Sequence, residues 1–397
     1  MLIRNLKVSR LLSFGPEGID LAMRPLNVLI GANGCGKSNF VEVLNLLKYA
    51  PARFDSPIMT GGGIQEWLWK TERIDSLGYA EIEVVLDDGL PADTSGFHHH
   101  IAFGSSGAQV LVEHEAIFHA EIVGKNSGSE VYYEYRDGHV LLQDNQLPNS
   151  NPLLREIKPS KLDFRLSILS QMKDPDRYRV FDFLQRAYNG IQIYREWTFG
   201  PGSTMRSSQL PDAPAGEVGR AGRNMVSVIA AMKRKEKNRL VEELGTLYSE
   251  IEDVRVAPAG GGALQLFIEE KGGREISAER LSDGTLRFLF LLAILLQPEP
   301  PPMIVIEEPE LGLHPDVIPK LAALLIEASA RSQIVVTTHS RMLIDALGDD
   351  PESVIVCEKN NGQSTFERLD GERMQVWLEK YTLGDLWSKG EIGGNRW

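Results

Sequence analysis

The chain opens on alternating apolar and polar positions. Leu2, Ile3, Leu6 and Val8 recur within Leu2–Ser9, the pattern of a half-buried strand. Turn residues fill Phe14–Gly18, and Ile19–Ala22 can return as the second arm of a hairpin. Leu26–Ile30 is a short, mostly apolar run, as expected of a strand covered on both faces. A glycine-rich loop follows. The pattern then lengthens to helical spacing, with Phe40, Val41, Val43, Leu44 and Leu47 in Asn39–Leu47. Residues 77–145 hold short β-prone runs parted by Gly, Asp or Ser, which predicts an antiparallel meander. Asp174–Ala187 reads as a helix. Phe199–Glu217, rich in Gly, Pro and Ser, reads as a mobile loop. Asn224–Ile251 has strong helix formers and charges at i,i+4 spacing. From Leu264 strand and helix alternate: strands at Met303–Ile306 and Ile334–Thr337, helices at Leu286–Leu296 and Asp316–Ala330. Such alternation implies a mostly parallel sheet. Val354–Glu358 and Thr365–Leu369 read as a terminal hairpin. There is no internal repeat and no sustained heptad, so no long coiled coil is expected.

Composition narrows the class. With 42% hydrophobic and 24% charged residues the chain is globular, and 397 residues allow two or three compact units. Cys35 and Cys357 are its only cysteines, which excludes a disulfide scaffold and suits a reducing cytosol. MLIRNLKVSR has no apolar signal core, and the most apolar run, Leu286–Leu296, is broken by Arg287 and too short for a bilayer. The expectation is therefore a cytoplasmic protein without a membrane partner. A net charge of −13 argues against a broadly basic surface for nucleic acid, while leaving room for a local basic groove.

Four motifs carry chemistry. Gly31-Ala-Asn-Gly-Cys-Gly-Lys37-Ser38 matches G-x-x-x-x-G-K-[ST] and lies between an expected strand and an expected helix. In such a loop glycines let backbone N–H groups curl around phosphate oxygens, and the helix N-terminus adds positive potential. Lys37 can reach the β- and γ-phosphates, and Ser38 can ligate Mg²⁺. Met303-Ile-Val-Ile-Glu307-Glu308 is an apolar strand ending in paired carboxylates. One acid can hold Mg²⁺ and its neighbour can polarise the attacking water. Leu281-Ser-Asp-Gly284-Thr precedes an apolar helix, so Ser282 and Gly284 mark either a second anion-facing helix start or an ordinary Ser/Asp cap. Ile334-Val-Val-Thr-Thr-His339-Ser340 places a histidine at a strand end, and strand C-termini line the ligand crevice of a parallel sheet.

In this order the four elements resemble the ABC-type ATPase head, and more narrowly its RecF/SMC-like branch. The carriers are Gly31–Asn39, Leu281–Thr285, E-E-P-E-L-G-L-H-P at Glu307–Pro315, and T-T-H-S at Thr337–Ser340. The P-E-L-G-L-H-P stretch is similar to predicted ATPases grouped with the overcoming-lysogenisation-defect family. The resemblance implies an α/β fold: a P-loop head with a mixed sheet, an antiparallel β subdomain and a helical subdomain. It implies one split head over 1–397, with a P-loop part at 1–90, an inserted β-rich and helical region at 90–260, and the signature, Walker B and switch-histidine part at 260–397. It also implies ATP and Mg²⁺ as cofactors. Gly31, Asn33, Gly34, Cys35, Gly36, Lys37, Ser38 and Asn39 would bind nucleotide, with Ser38 and Glu307 organising the metal. Glu308 would be the general base, with His339 and Lys37 beside it in catalysis. Ser282 and Gly284 would contact the γ-phosphate of a second subunit in an ATP-bound homodimer, and Leu313–Pro315 would be the D-loop between subunits. Gln65 is the candidate Q-loop residue. The expected setting is DNA repair, recombination or defence against foreign DNA. DNA and a separate nuclease or effector chain are the candidate partners, since the short stretch after His339 shows no clustered D-x-D acids of a Toprim nuclease. A second reading is a nucleotide-gated switch with little turnover that controls such a partner. A third, a transporter subunit, lacks a clear LSGGQ.

Three positions depart from the family pattern: Glu307 stands where an aspartate is usual, Asp283 where glycine is common, and Leu12 where an arginine often precedes Ser-Phe. Other features have plainer readings. Lys233–Arg239 is the densest basic run, a DNA track or a solvated helix face. His98–His100 lacks acid or cysteine partners at ligand spacing, and strand alternation splits the three between two faces. Cys35 is a small filler in the phosphate loop whose oxidation would block nucleotide. The tail Trp377–Trp397 reads as a packing or interface segment.

Overall fold

The structure, a computed structural model, describes residues 1–70, 78–89, 96–119, 130–144, 153–211 and 218–394. The N-terminal half runs β1 (Ile3–Ser9), β2 (Ile19–Ala22), β3 (Leu26–Ile30), α1 (Lys37–Tyr49), α2 (Ser56–Thr60), α3 (Ile64–Trp67), β4 (Tyr79–Leu86), β5 (Phe97–Ser106), β6 (Gln109–His119), β7 (Glu130–Arg136), β8 (His139–Asp144), β9 (Leu153–Glu156), α4 (Ile168–Gln171), α5 (Arg179–Asn189) and β10 (Ile191–Tyr194). The C-terminal half continues α6 (Met225–Ala231), α7 (Arg234–Gly245), β11 (Ile251–Pro258), β12 (Leu264–Glu270), β13 (Arg274–Ser277), α8 (Asp283–Leu295), β14 (Met303–Glu307), α9 (Ile318–Ser329), β15 (Gln333–Thr338), α10 (Arg341–Asp345), β16 (Val354–Asn360), β17 (Gln363–Arg368), α11 (Gly371–Leu378) and α12 (Leu383–Ser388).

A central sheet in the order β10-β14-β15-β3-β16-β17 is parallel except for its last strand. Strands far apart in sequence meet here: Val28 of β3 lies opposite Val336 of β15, and Ile306 of β14 opposite the same Val336. Both faces are covered. Val28, Ile30, Ile304, Ile306, Ile334 and Val336 point to the side of α8 and α9, while Leu29, Met303, Val305 and Val335 join α1 and α5 on the other. That is why these strands read as near-continuous apolar runs.

The expected meander forms an eight-stranded antiparallel sheet, β2-β1-β4-β5-β6-β7-β8-β9. It begins with the N-terminal hairpin, so the 90–260 stretch contributes to three sheets: β5–β9 extend the meander, β10 lies at the edge of the parallel sheet, and β11 joins a three-stranded sheet, β11-β12-β13. Gln333 at the start of β15 stitches the two together. Its side chain accepts from the N–H groups of Leu2 and Ile3 and donates to the carbonyl of Ile3. His99 faces inward, where its ring meets Tyr188 Oη at 2.9 Å and Glu115 at 3.1 Å, whereas His98 stacks on Phe118 and His100 packs beside His114. Among the described residues no group of three or more His, Cys, Asp and Glu side chains could hold a metal ion. Nor, among the described residues, is any helix long and apolar enough to cross a membrane.

Two expectations are corrected. Asn224–Ile251 is two helices, because Met232 and Lys233 take extended backbone between α6 and α7. Residues 199–211 are anchored rather than loose. Phe199 and Met205 are buried in the core, and Gln209 exchanges backbone hydrogen bonds with Leu264. Two buried apolar anchors in a stretch rich in Gly, Pro and Ser are too sparse to leave a periodic signal. Residues 212–217 of the same expected loop, and Trp397 of the tail, lie outside the described residues.

Candidate functional site

The phosphate loop leaves β3 at Ile30 and enters α1 at Lys37. Gly31 has φ 149° and Gly36 φ 108°, and a Cβ on Gly36 would stand 2.2 Å from Ser364 Oγ, so a side chain cannot be accommodated there. Both ends of the chain clasp this loop. Asn39 donates to Ser13 Oγ at 2.7 Å, and Ser364 Oγ lies 2.6 Å from the same hydroxyl. Lys37 is buried, and its ammonium donates to the carbonyls of Gly31 (2.7 Å) and Ala32 (3.1 Å). Cys35 sits beneath it. The hydrogen bond from Cys357 first, and then the charge of Lys37, draws its thiol down to about 6 against burial, while burial pushes Cys357 up. Asn33, Gly34 and Ser38 are exposed.

Because β3, β15 and β14 are parallel neighbours, their C-terminal ends bring three motifs to one edge. Glu307 ends β14. Burial pushes its carboxyl up; the Ser38 hydroxyl and the Arg195 charge oppose this. One of its oxygens, Oε1, is buried without a hydrogen-bond partner. Glu308 follows at φ 47°, a left-handed conformation that costs a non-glycine residue on the order of 1–3 kcal/mol. Its N–H is tied to the Thr337 carbonyl at 2.9 Å, and its carboxylate stands 3.7 Å from His339 Nε2. Burial and then the Lys37 charge hold the His339 imidazole below its ordinary value. Glu310, itself buried, accepts from Thr338 Oγ1 (2.6 Å) and from the His339 N–H (2.9 Å), and so fixes the histidine's backbone.

Ser282 caps α8: its hydroxyl accepts from the Thr285 N–H at 3.1 Å. Gly284 lies against Gly312, whose carbonyl an added Cβ would meet at 3.1 Å. Asp283 is paired with Arg206, whose guanidinium also donates to the carbonyls of Phe199, Leu281 and Glu279 at 2.7, 2.6 and 3.0 Å. The structure thus gathers Lys37, Ser38, Glu307, Glu308 and His339 at one edge and puts Ser282 and Gly284 on the start of a different helix. Gln65 lies on α3 and donates to Ser105. Leu12 has φ 52° and donates its N–H to Trp67. In the basic run, Lys237 is paired with Asp253 and Arg239 with Glu243 and Glu327, whereas Lys233, Arg234 and Lys235 are exposed.

Sequence reasoning passed over Arg195, Trp197, Arg206, Arg287 and Glu310. Two left a signal: Glu310 is the third acid of E-E-P-E, and Arg287 interrupts an apolar helix. The others sit on irregular segments whose partners are distant in sequence.

The donor set fits a nucleotide with its metal. The positive-φ glycine loop leads into a helix start, and the buried, partnerless Oε1 of Glu307, with Ser38 beside it, is a donor set that suits a divalent cation. A profile described as "AAA domain, putative AbiEii toxin, Type IV TA system" (AAA_21) matches residues 134–345. No curated protein matches. Among solved structures, the Smc head bound to the C-winged helix domain of ScpA superposes with a TM-score of 0.55 at 14% identity, covering 94% of this chain and 100% of that one. The Smc head with an extended coiled coil bound to the C-terminal domain of ScpA from Pyrococcus furiosus gives 0.53 at 15%, covering 96% and 99%. With more than half of its length matched, the chain belongs to the AAA_21 family of AAA domains, and its fold is that of the P-loop ATPase heads of SMC proteins.

Proposed function

We propose that the chain is a Mg²⁺-dependent ATPase that dimerises on ATP, built as one split head over 1–397. The observation that carries this is the convergence of Lys37, Ser38, Glu307, Glu308 and His339 on one sheet edge from three separate stretches of sequence. The loop amides and Lys37 hold the β- and γ-phosphates. Ser38 and Glu307 hold Mg²⁺, which when bound neutralises phosphate charge. Water attacks the γ-phosphorus in line, the bond to the ADP oxygen breaks, and Glu308 accepts the water's proton. Ser282 and Gly284 serve the γ-phosphate of a second copy. The setting is DNA repair, recombination or defence against foreign DNA; the family description, with its toxin–antitoxin wording, supports the defence side.

A second reading is a nucleotide-gated switch with little turnover that controls a separate chain such as a nuclease. Its support is Lys37, which here is engaged by its own loop carbonyls. Steady-state hydrolysis with and without DNA separates the two. On the ATPase reading, Glu308→Gln retains ATP and accumulates as dimer in size-exclusion chromatography, and Lys37→Ala no longer binds nucleotide. Hydrolysis by Glu308→Gln at the wild-type rate overturns the assignment of Glu308.

A further inference from the structure

Arg287 is the one charged residue of α8 beyond Asp283, and it is buried. Its Nη2 donates to the Glu308 carbonyl at 3.2 Å. Its guanidinium centre lies 4.3 Å from the Trp197 ring centre and 5.5 Å from that of Phe199. Trp197 in turn donates from Nε1 to the carbonyl of Glu307 at 2.6 Å. Two successive carbonyls of the strained turn are therefore each held by a side chain, and the two side chains stack on one another. Burial lowers the Arg287 pKa to about 10, opposed by the charges of Glu310 and then Glu308, so the guanidinium stays charged at neutral pH. Its Nη1 lies 3.5 Å from where a Cβ on Gly312 would stand, which brings the segment just before Leu313 to the same hub.

A cation buried in an apolar helix is costly unless its hydrogen bonds require it. Here its hydrogen bond goes to the backbone of the turn that carries Glu308, its face rests on Trp197, and its Nε is buried without a hydrogen-bond partner. We propose that Arg287 and Trp197 are positioning residues that fix this turn from the signature helix, so that the aim of Glu308 depends on where α8 sits. The proposal rests on the ATPase reading above. Anything that draws on the Ser282–Gly284 end of α8 is felt one turn later at Arg287, and from there at Glu308.

The test uses the full chain with Trp197→Phe, which keeps the stack and loses the N–H donor, and with Arg287→Met and Arg287→Lys. Hydrolysis kinetics, binding of a fluorescent ATP analogue and thermal melting are measured together. A positioning role predicts that kcat falls about tenfold or more in Trp197→Phe and Arg287→Met while KM and nucleotide affinity stay within about threefold, with partial recovery in Arg287→Lys. The proposal is overturned if kcat stays within about twofold of wild type, or if kcat, affinity and melting temperature all fall together as for plain core damage. If Arg287→Met does not fold, Trp197→Phe decides alone. Wild type and Glu308→Gln are run alongside: no hydrolysis by wild type sinks the ATPase reading, and wild-type turnover by Glu308→Gln removes Glu308 as the base, each a result distinct from failure of the clamp.

Discussion

The carboxylate of Glu308 stands 3.7 Å from Nε2 of His339, and the imidazole also feels the charge of Lys37. Burial is the larger cause and Lys37 the next; together they lower the pKa of His339, against the pull of Glu308. A folded-state pKa below the unfolded value of about 6.5 favours neutral histidine. What depends on that neutral form is complete above about pH 6.5 and is lost as pH falls through the lower folded value. We therefore expect kcat to hold level from pH 8 to below pH 6.5 and only then to decline. His339→Ala should lower kcat by about a hundredfold, and His339→Gln should recover part of this through a neutral hydrogen bond. A wild-type profile already falling between pH 8 and 7 would contradict the assignment.

Glu307 shows the opposite sign. Burial raises its carboxyl pKa, so the protonated form is the one the metal-free fold prefers. Stability from that preference is complete below the unfolded value and lost as pH rises through the folded one. Above the unfolded value this burial therefore costs the fold stability, and a cation on the partnerless Oε1 would relieve the cost. Glu307→Gln should melt at or above the wild-type temperature without metal. It should also lose the rise that Mg²⁺ with ATP gives the wild type, about 2.7 kcal/mol at a hundredfold excess over Kd. Equal stabilisation of both proteins by Mg²⁺ with ATP would remove Glu307 from the metal site.

The contrast between these acids and their supports shows what a sequence makes legible. Glu307, Glu308 and His339 end apolar strands, and burial on both faces imposes a continuous apolar run that marks each strand end. Lys37 is marked by the glycines its loop geometry demands. The parallel sheet and the meander follow from the same periodicities. Arg206 and Trp197 act through single hydrogen bonds from irregular chain to distant carbonyls, and no spacing rule records such a pairing. Arg287 is intermediate: a lone charge in an apolar helix signals a buried partner without naming it. The break in Asn224–Ile251 falls at Met232 and Lys233, where neither Gly nor Pro stands in the sequence to mark it.

Asp283 is the departure for which the pairing with Arg206 matters most. An acid at the start of α8 would repel phosphate, yet here a guanidinium faces it while holding the carbonyls of Leu281 and Glu279. Arg206 is nearly buried and Asp283 mostly exposed, so the ion pair itself adds little to stability. The carbonyl bonds matter more, and Arg206→Ala should cost on the order of 2 kcal/mol in denaturant unfolding. Asp283→Asn should be close to neutral by the same measure. Their effects on assembly should differ in kind. In a Glu308→Gln background, Arg206→Ala leaves Asp283 uncompensated and should weaken the ATP-dependent dimer about tenfold or more. Adding Asp283→Asn should restore much of that affinity without restoring the lost stability, because it removes the charge and not the broken carbonyl bonds. If the double variant assembles as poorly as Arg206→Ala alone, Arg206 acts on the loop's shape and not on its charge.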